Sequence, residues 1–247
     1  MSLQTEVSQL SVTQFAERHR GEMIPLANNF SYYCASTPFT EEDARDYLEE
    51  PIAALPPAIA SHLPKISILL VPYLSKEKPH ELVSMAPPPE GKLSWTTQLR
   101  RGGETVLAFT LTGHEVSEYH YRFYQHISAL VWELKDSTAR SRYSALLQEE
   151  LNANIHGEVD EESWRLKQQL ERRTGRVKPE SKVYLGYFRA SFVDSMTLYL
   201  HGICCDIDVD TGPRQLPSRM LRKRLLLLKE LFPPPAEFHV LPEDMKQ

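Results

Sequence analysis

Three histidines and several acids crowd into residues 112–133, TGHEVSEYHYRFYQHISALVWE, and these residue types could hold a metal or move a proton. The spacing decides what they can do together. His114, His120 and His126 are six residues apart. On a helix each is turned about 240° from the last, so the three point in different directions and cannot share one ion. Two helical zinc ligands need a spacing of three or four, as in H-E-x-x-H. Here His114-Glu115 is followed by Val116, Ser117 and Glu118, and the second histidine is missing. The apolar positions do align. Val116, Tyr119, Phe123, Ile127, Leu130 and Leu134 form one stripe with His120 at its edge, while Glu118, Arg122 and His126 run down a wet flank as a surface ladder.

Other acid and base clusters have local explanations. In NIHGEVDEESWRL, His156 and Glu158 could ligate a metal, but Asp160 reads as a helix N-cap with acids in the first turn. Arg165, Lys167, Arg172 and Arg173 then complement the dipole. DIDVDTG, residues 206–212, puts Thr211 and Pro217 where a calcium-binding EF-hand needs Gly and Glu. Arg219, Arg222, Lys223 and Arg224 read as the solvated basic edge of a helix, with RNA or an acidic membrane as the alternative contact. Phosphate-loop and nucleophile-elbow motifs are absent.

If a metal centre exists, its ligands must therefore converge from different elements. The candidates are His126, His201 with Asp194 two turns before it, and His156 and Glu158 on a loop. Zinc is the possible ion, although no cofactor is expected.

The elements that would position these groups follow from periodicity. A helix is predicted over 11–35, and Thr40 with Glu41, Glu42 and Asp43 opens a second that Pro51 should kink or stop. Pro56-Pro57 starts another, ended by His62-Leu63-Pro64. KISILLVPYL reads as a buried strand, and residues 75–91 as a polar, proline-rich loop. KLSWTTQL and ETVLAFTLT form a hairpin around Gly102-Gly103. Helices follow near 114–135, 137–153, 160–174, 184–203 and 217–232, and then an extended tail. The fold class is α+β: a small antiparallel or mixed sheet, with strands near 65–73, 92–99 and 104–112, packed by several helices and followed by a helix-rich C-terminal half. We expect one domain over 1–247, with a possible subdivision into 1–112 and 113–247.

A sheet whose last strand leads into a His/Glu-bearing helix followed by more helices resembles the zincin metallopeptidases in layout, over roughly residues 65–203. The resemblance implies a degenerate relative, and with H-E-x-x-H absent no catalytic residue carries over.

Composition bounds the rest. The chain has 247 residues, 28 Lys plus Arg against 33 Asp plus Glu, and a net charge of -5, a poor balance for a dedicated nucleic-acid binder. Cys34, Cys204 and Cys205 form no C-x-x-C pair and read as reduced thiols in the cytoplasm. The N-terminal segment lacks the apolar run of a signal peptide, and no run elsewhere is long enough to span a bilayer. The sequence thus points to a soluble cytoplasmic protein that acts by binding or scaffolding, with a protein partner possible. A metal-dependent hydrolase is the alternative.

Overall fold

The structure is a computed structural model, and it describes residues 10–36, 38–77, 80–86, 88–90, 96–111, 115–172, 181–205 and 214–240. Leu93, Trp95, His114 and the stretch DIDVDTG, residues 206–212, lie outside these residues. The chain divides into two compact units. The first comprises 1–53 and 63–122, and the second 54–62 and 123–247.

The first unit is built on a five-stranded mixed sheet. Its strands are β2 (Ile24–Pro25), β3 (Phe30–Cys34), β4 (Lys65–Val71), β7 (Thr96–Arg101) and β8 (Glu104–Thr110). The order is β2-β3-β4-β8-β7, with β3, β4 and β8 parallel and both edge strands antiparallel. β4 is buried along its length after Lys65, as its unbroken apolar run requires of a central strand. The β7–β8 hairpin turns at Gly102 and Gly103, whose φ values of 57° and 83° fit a two-residue turn that L-residues enter at a cost. Helix α1 (Val12–Arg18) starts with a capping box between Ser11 and Gln14. It lays Val12 and Phe15 against Leu69, Val71, Val106 and Ala108 on one face of the sheet.

Two segments differ from the sequence reading. The helix predicted over 11–35 ends at Arg18; a 3-10 turn over Arg20–Glu22 and strand β2 follow, and Asn28 and Asn29, at positive φ (56° and 65°), turn the chain from β2 into β3. The aromatic stretch FSYYC that follows pairs with β4 as β3. The loop expected over 75–91 contains β5 (Tyr73–Glu77) and β6 (His80–Ser84), which pair with each other and with β1 (Leu10–Ser11) as a small antiparallel sheet. The burial of Leu74 and Val83 in the core outweighs the polar composition around them.

Thr40 caps α2 (Glu41–Ala44) in a reciprocal box with Asp43. Pro51 does not stop the helix. A π-helical segment over Arg45–Glu49 widens the turn before α3 (Glu50–Ala53), and the Glu50 N–H donates to the Arg45 carbonyl five residues back. Such a wide turn accommodates the bond that proline cannot make.

The second unit is helical. It contains α4 (Pro57–Ala60), most of α5 (Val116–Glu133), α6 (Ser137–Asn152), α7 (Glu161–Glu171), α8 (Lys182–Cys204) and α9 (Ser218–Leu231). α5 buries Tyr119, Phe123, Ile127 and Leu130 and leaves the Glu118–Arg122 pair, 2.8 Å apart, at the surface. Leu134 is exposed instead of closing the stripe, because α5 ends at Glu133. No described helix is long and apolar enough to cross a membrane.

Candidate functional site

The five metal-ligand candidates all fall in the second unit. His126 on α5 and His201 on α8 are half-buried, and the His201 ring meets the Tyr124 edge at 6.4 Å. His156 is exposed and packs edge-on against Trp164 at 4.7 Å. Among the described residues, no three of the five place ligand atoms within 4.8 Å of one another.

Glu158 belongs instead to a buried ionic cluster. Arg224 on α9 is fully buried. Its Nε and Nη2 donate to Glu150 on α6 (3.1 and 2.6 Å), and its Nη1 and Nη2 donate to Glu158 (2.7 and 3.0 Å). Arg224 Nη1 also donates to Ser191 Oγ on α8 at 2.9 Å. Lys167 on α7 is equally buried, 3.3 Å from Glu158 and donating to the Gly157 carbonyl at 2.8 Å. The Tyr187 hydroxyl donates to Glu158 as well. Burial alone would raise the Glu158 carboxyl, but Arg224 and Lys167 outweigh it and hold it below the ordinary carboxylate value. Nearby, Tyr143 donates to Ser195 Oγ at 2.7 Å, and burial pushes its phenol up to about 12.

The backbone around Glu158 is shaped to insert it. Gly157 has φ +85°, and a Cβ there would lie 2.1 Å from the Gln215 carbonyl oxygen, so only glycine allows the two chains to approach. The Glu158 N–H and C=O bond Arg214 and Leu216 across that contact.

Sequence reasoning placed Arg224 on a solvated edge and Lys167 among the dipole-complementing charges; both are buried. The available signal was helical phase. Arg224 lies three residues after Leu221 and four before Leu228, on the face that α9 buries. Arg219, Arg222 and Lys223 are exposed, as expected.

Two buried cations face two buried carboxylates, and hydrogen bonds fill both sides. A cluster so closed and balanced ties four helices together and offers no open coordination site or unoccupied acid–base pair.

Asp194 on α8, 8% exposed, stands apart from this balance. Burial pushes its carboxyl up to about 7. The Ser163 hydroxyl opposes the shift, and repulsion from Asp160, Glu158 and Glu162 adds to it. Its Oδ2 is buried without a hydrogen-bond partner.

Among the described residues, each unit has a concavity that reaches solvent. In the first unit, a cleft of about 220 Å³ lies between α1 and the strand ends, lined by Arg20, Lys65, Arg101 and Glu104 among others. Both of its lining carboxylates are engaged. Glu104 accepts from Ser67 (2.6 Å) and Arg20 (3.1 Å), and Glu17 pairs with Arg101 (3.3 Å).

The second concavity, in the helical unit, measures about 460 Å³ and is lined by residues of α4, α5, α6, α8 and α9 together with the segments after α4, α5 and α9. Trp132, Phe192, Leu231 and Phe232 give it an apolar wall, and His62, Lys135 and Arg140 supply basic groups. The Arg140 guanidinium stacks 4.1 Å above the Trp132 ring, and its Nη2 donates to the Trp132 carbonyl. Its Nε is buried without a partner. Burial lowers the Arg140 guanidinium below its ordinary value, and no carboxylate offsets that shift. Asp136 is committed to capping α6, accepting from the Ala139 N–H at 3.0 Å.

At the mouth, His62 Nδ1 lies 2.9 Å from the Ala58 carbonyl and 3.1 Å from Ser61 Oγ. A carbonyl only accepts, so Nδ1 carries a proton and cannot take one from Ser61. Ser61 is therefore not an activated nucleophile.

These features define an α+β protein of two units, with a closed ionic core and an open aromatic, cationic cavity in the helical one. Comparison with protein-family models found no match, and no match was found among curated proteins or solved structures.

Proposed function

We propose that the protein acts by binding a small molecule in the cavity of the helical unit, without catalysing its conversion. The carrying observation is that cavity, open to solvent and walled by aromatic side chains, with a basic group that lacks a counter-charge. Its volume of about 460 Å³ falls within the usual range for ligand sites, roughly 300–1,000 Å³, and that of the first-unit cleft falls below it. A concave site with aromatic walls and a few converging polar groups suits a small molecule better than a nucleic acid or a flat protein surface.

Two observations favour binding over catalysis. The buried ionic cluster is saturated, and the serine–histidine contact at the cavity mouth has its proton on the wrong atom for base catalysis. A zinc-dependent hydrolase, the other reading of the sequence, would draw its ligands from His126, His156, Glu158, Asp194 and His201, no three of which place ligand atoms within 4.8 Å of one another.

A thermal-shift panel of small molecules tests the proposal. A ligand at about 100 times its Kd adds about 2.7 kcal/mol. That corresponds to a rise of roughly 5–10 °C in a domain of this size. Ala58 is exposed on the cavity rim, so Ala58→Trp should occlude the cavity and abolish the shift. A panel without hits, or hits that survive Ala58→Trp, would sink the proposal.

A further inference from the structure

We infer that the cavity of the helical unit takes a monoanionic carboxylate with a flat apolar body, held by Arg140 at its charged end; this assignment rests on the binding role proposed above.

The first argument is charge. Among the described residues neither Arg140 nor Lys135 has a carboxylate partner, although both line the cavity. Arg165, Arg172, Lys182, Arg189 and Arg219 of the helical unit also have no carboxylate partner among the described residues, but none of them lines the cavity. Arg142 pairs with Glu230, Arg214 with Glu161, Lys223 with Glu149, and Arg224 with Glu150 and Glu158. A partly buried guanidinium gains when a carboxylate replaces the water it has lost.

The second argument is stoichiometry. Lys135 and Arg140 share the lining with one carboxylate, Asp136, a surplus of one positive charge before His62 is counted. That surplus matches a monoanion, whereas a phosphate monoester would bring close to two negative charges.

The third argument is shape. Arg140 is fixed by its stack on Trp132 and by its bond to the Trp132 carbonyl, so its remaining N–H groups are held in place before a ligand arrives. Beside it, Phe192 and Phe232 are almost wholly buried, Leu231 is half-buried, and Leu134 is 40% exposed at the rim. Exposed leucine at the mouth and aromatic side chains behind it suit a flat ring more than a polar sugar.

Isothermal titration with three probes sharing one ring tests the assignment: 2-naphthoate, 2-naphthyl phosphate and neutral 2-naphthylmethanol. The carboxylate should bind at least tenfold tighter than the alcohol and tighter than the phosphate. Arg140→Met keeps the apolar stem over Trp132 and should bring carboxylate and alcohol to equal affinity; Arg140→Lys should retain a preference for the carboxylate. Binding of the alcohol to each variant reports that the cavity is intact. Equal affinity for carboxylate and alcohol in the unmodified protein would overturn the anion assignment and leave the binding role standing. Tighter binding of the phosphate would overturn the carboxylate. A preference unchanged in Arg140→Met would overturn the role of Arg140. No heat with any probe would overturn the ligand class, and the binding role would then be judged on the thermal-shift panel.

Discussion

Asp194→Asn is expected to stabilise the protein, and to do so more at high pH than at low. The carboxyl is buried on α8, its Oδ2 lacks a partner, and burial raises it from 3.8 in the unfolded chain to about 7 when folded. The sign follows from proton binding. Between these two values the folded chain holds a proton that the unfolded chain releases, so stability falls as pH rises. The penalty is small below about pH 4 and complete above about pH 8. At about 1.4 kcal/mol per pH unit, a shift of about 3 units amounts to about 4 kcal/mol. At about pH 5 only some 1–2 kcal/mol of it has developed, so the gain from Asp194→Asn should grow by about 2–3 kcal/mol between about pH 5 and about pH 8.5. Asparagine keeps the shape, so packing changes little. Urea unfolding followed by tryptophan fluorescence at the two pH values measures the difference. A variant whose gain is the same at both, or that is destabilised at high pH, refutes the reasoning.

Other perturbations test the core and the turns. Arg224→Met leaves Glu150 and Glu158 without their main counter-charge and should cost about 3–5 kcal/mol in urea unfolding at neutral pH. Acidification should weaken the protein through the same cluster: the Glu158 carboxyl is held below its ordinary value, so its contribution is present above that value and lost as pH falls through the lowered one. Circular dichroism during acid titration reads this, and in Glu158→Gln that step should disappear. Phe123→Ala, at a fully buried position on α5, should cost about 3–5 kcal/mol in the same unfolding assay. Gly103→Ala meets no neighbouring atom within 4 Å but must take φ +83°, so a loss of about 1–2 kcal/mol should come from the backbone alone.

The sequence made the helices legible because their apolar stripes are long. α5, α6, α7, α8 and α9 begin and end within a few residues of where the 3.6-residue period places them. β4, β7 and β8 were legible through their apolar run and paired glycines, apart from the 92–95 stretch outside the described residues. β3 was not, because its five residues follow a helical pattern closely and their strand identity depends on a parallel partner more than thirty residues away. β5 and β6 were obscured by the polar and proline-rich residues between and after them.

The charged groups were harder. A charged residue inside an apolar stripe reads as an interruption, so Arg224 and Lys167 passed for surface residues. Their burial depends on Glu150 and Glu158 arriving from other elements, which local pattern cannot reveal. The cavity was illegible for the same reason: Trp132, Arg140, Phe192 and Phe232 are far apart in sequence and meet only through helix packing.

The most direct test of a ligand cavity beside Trp132 is fluorine NMR on protein labelled with 5-fluorotryptophan. The chain has three tryptophans, Trp95, Trp132 and Trp164, whose resonances can be assigned by single Trp→Phe substitutions. Trp132 lines the cavity, whereas Trp164 is buried on α7 against His156. On titration with 2-naphthoate the Trp132 resonance should move saturably while that of Trp164 stays fixed. Saturable binding that leaves Trp132 unmoved would contradict the account.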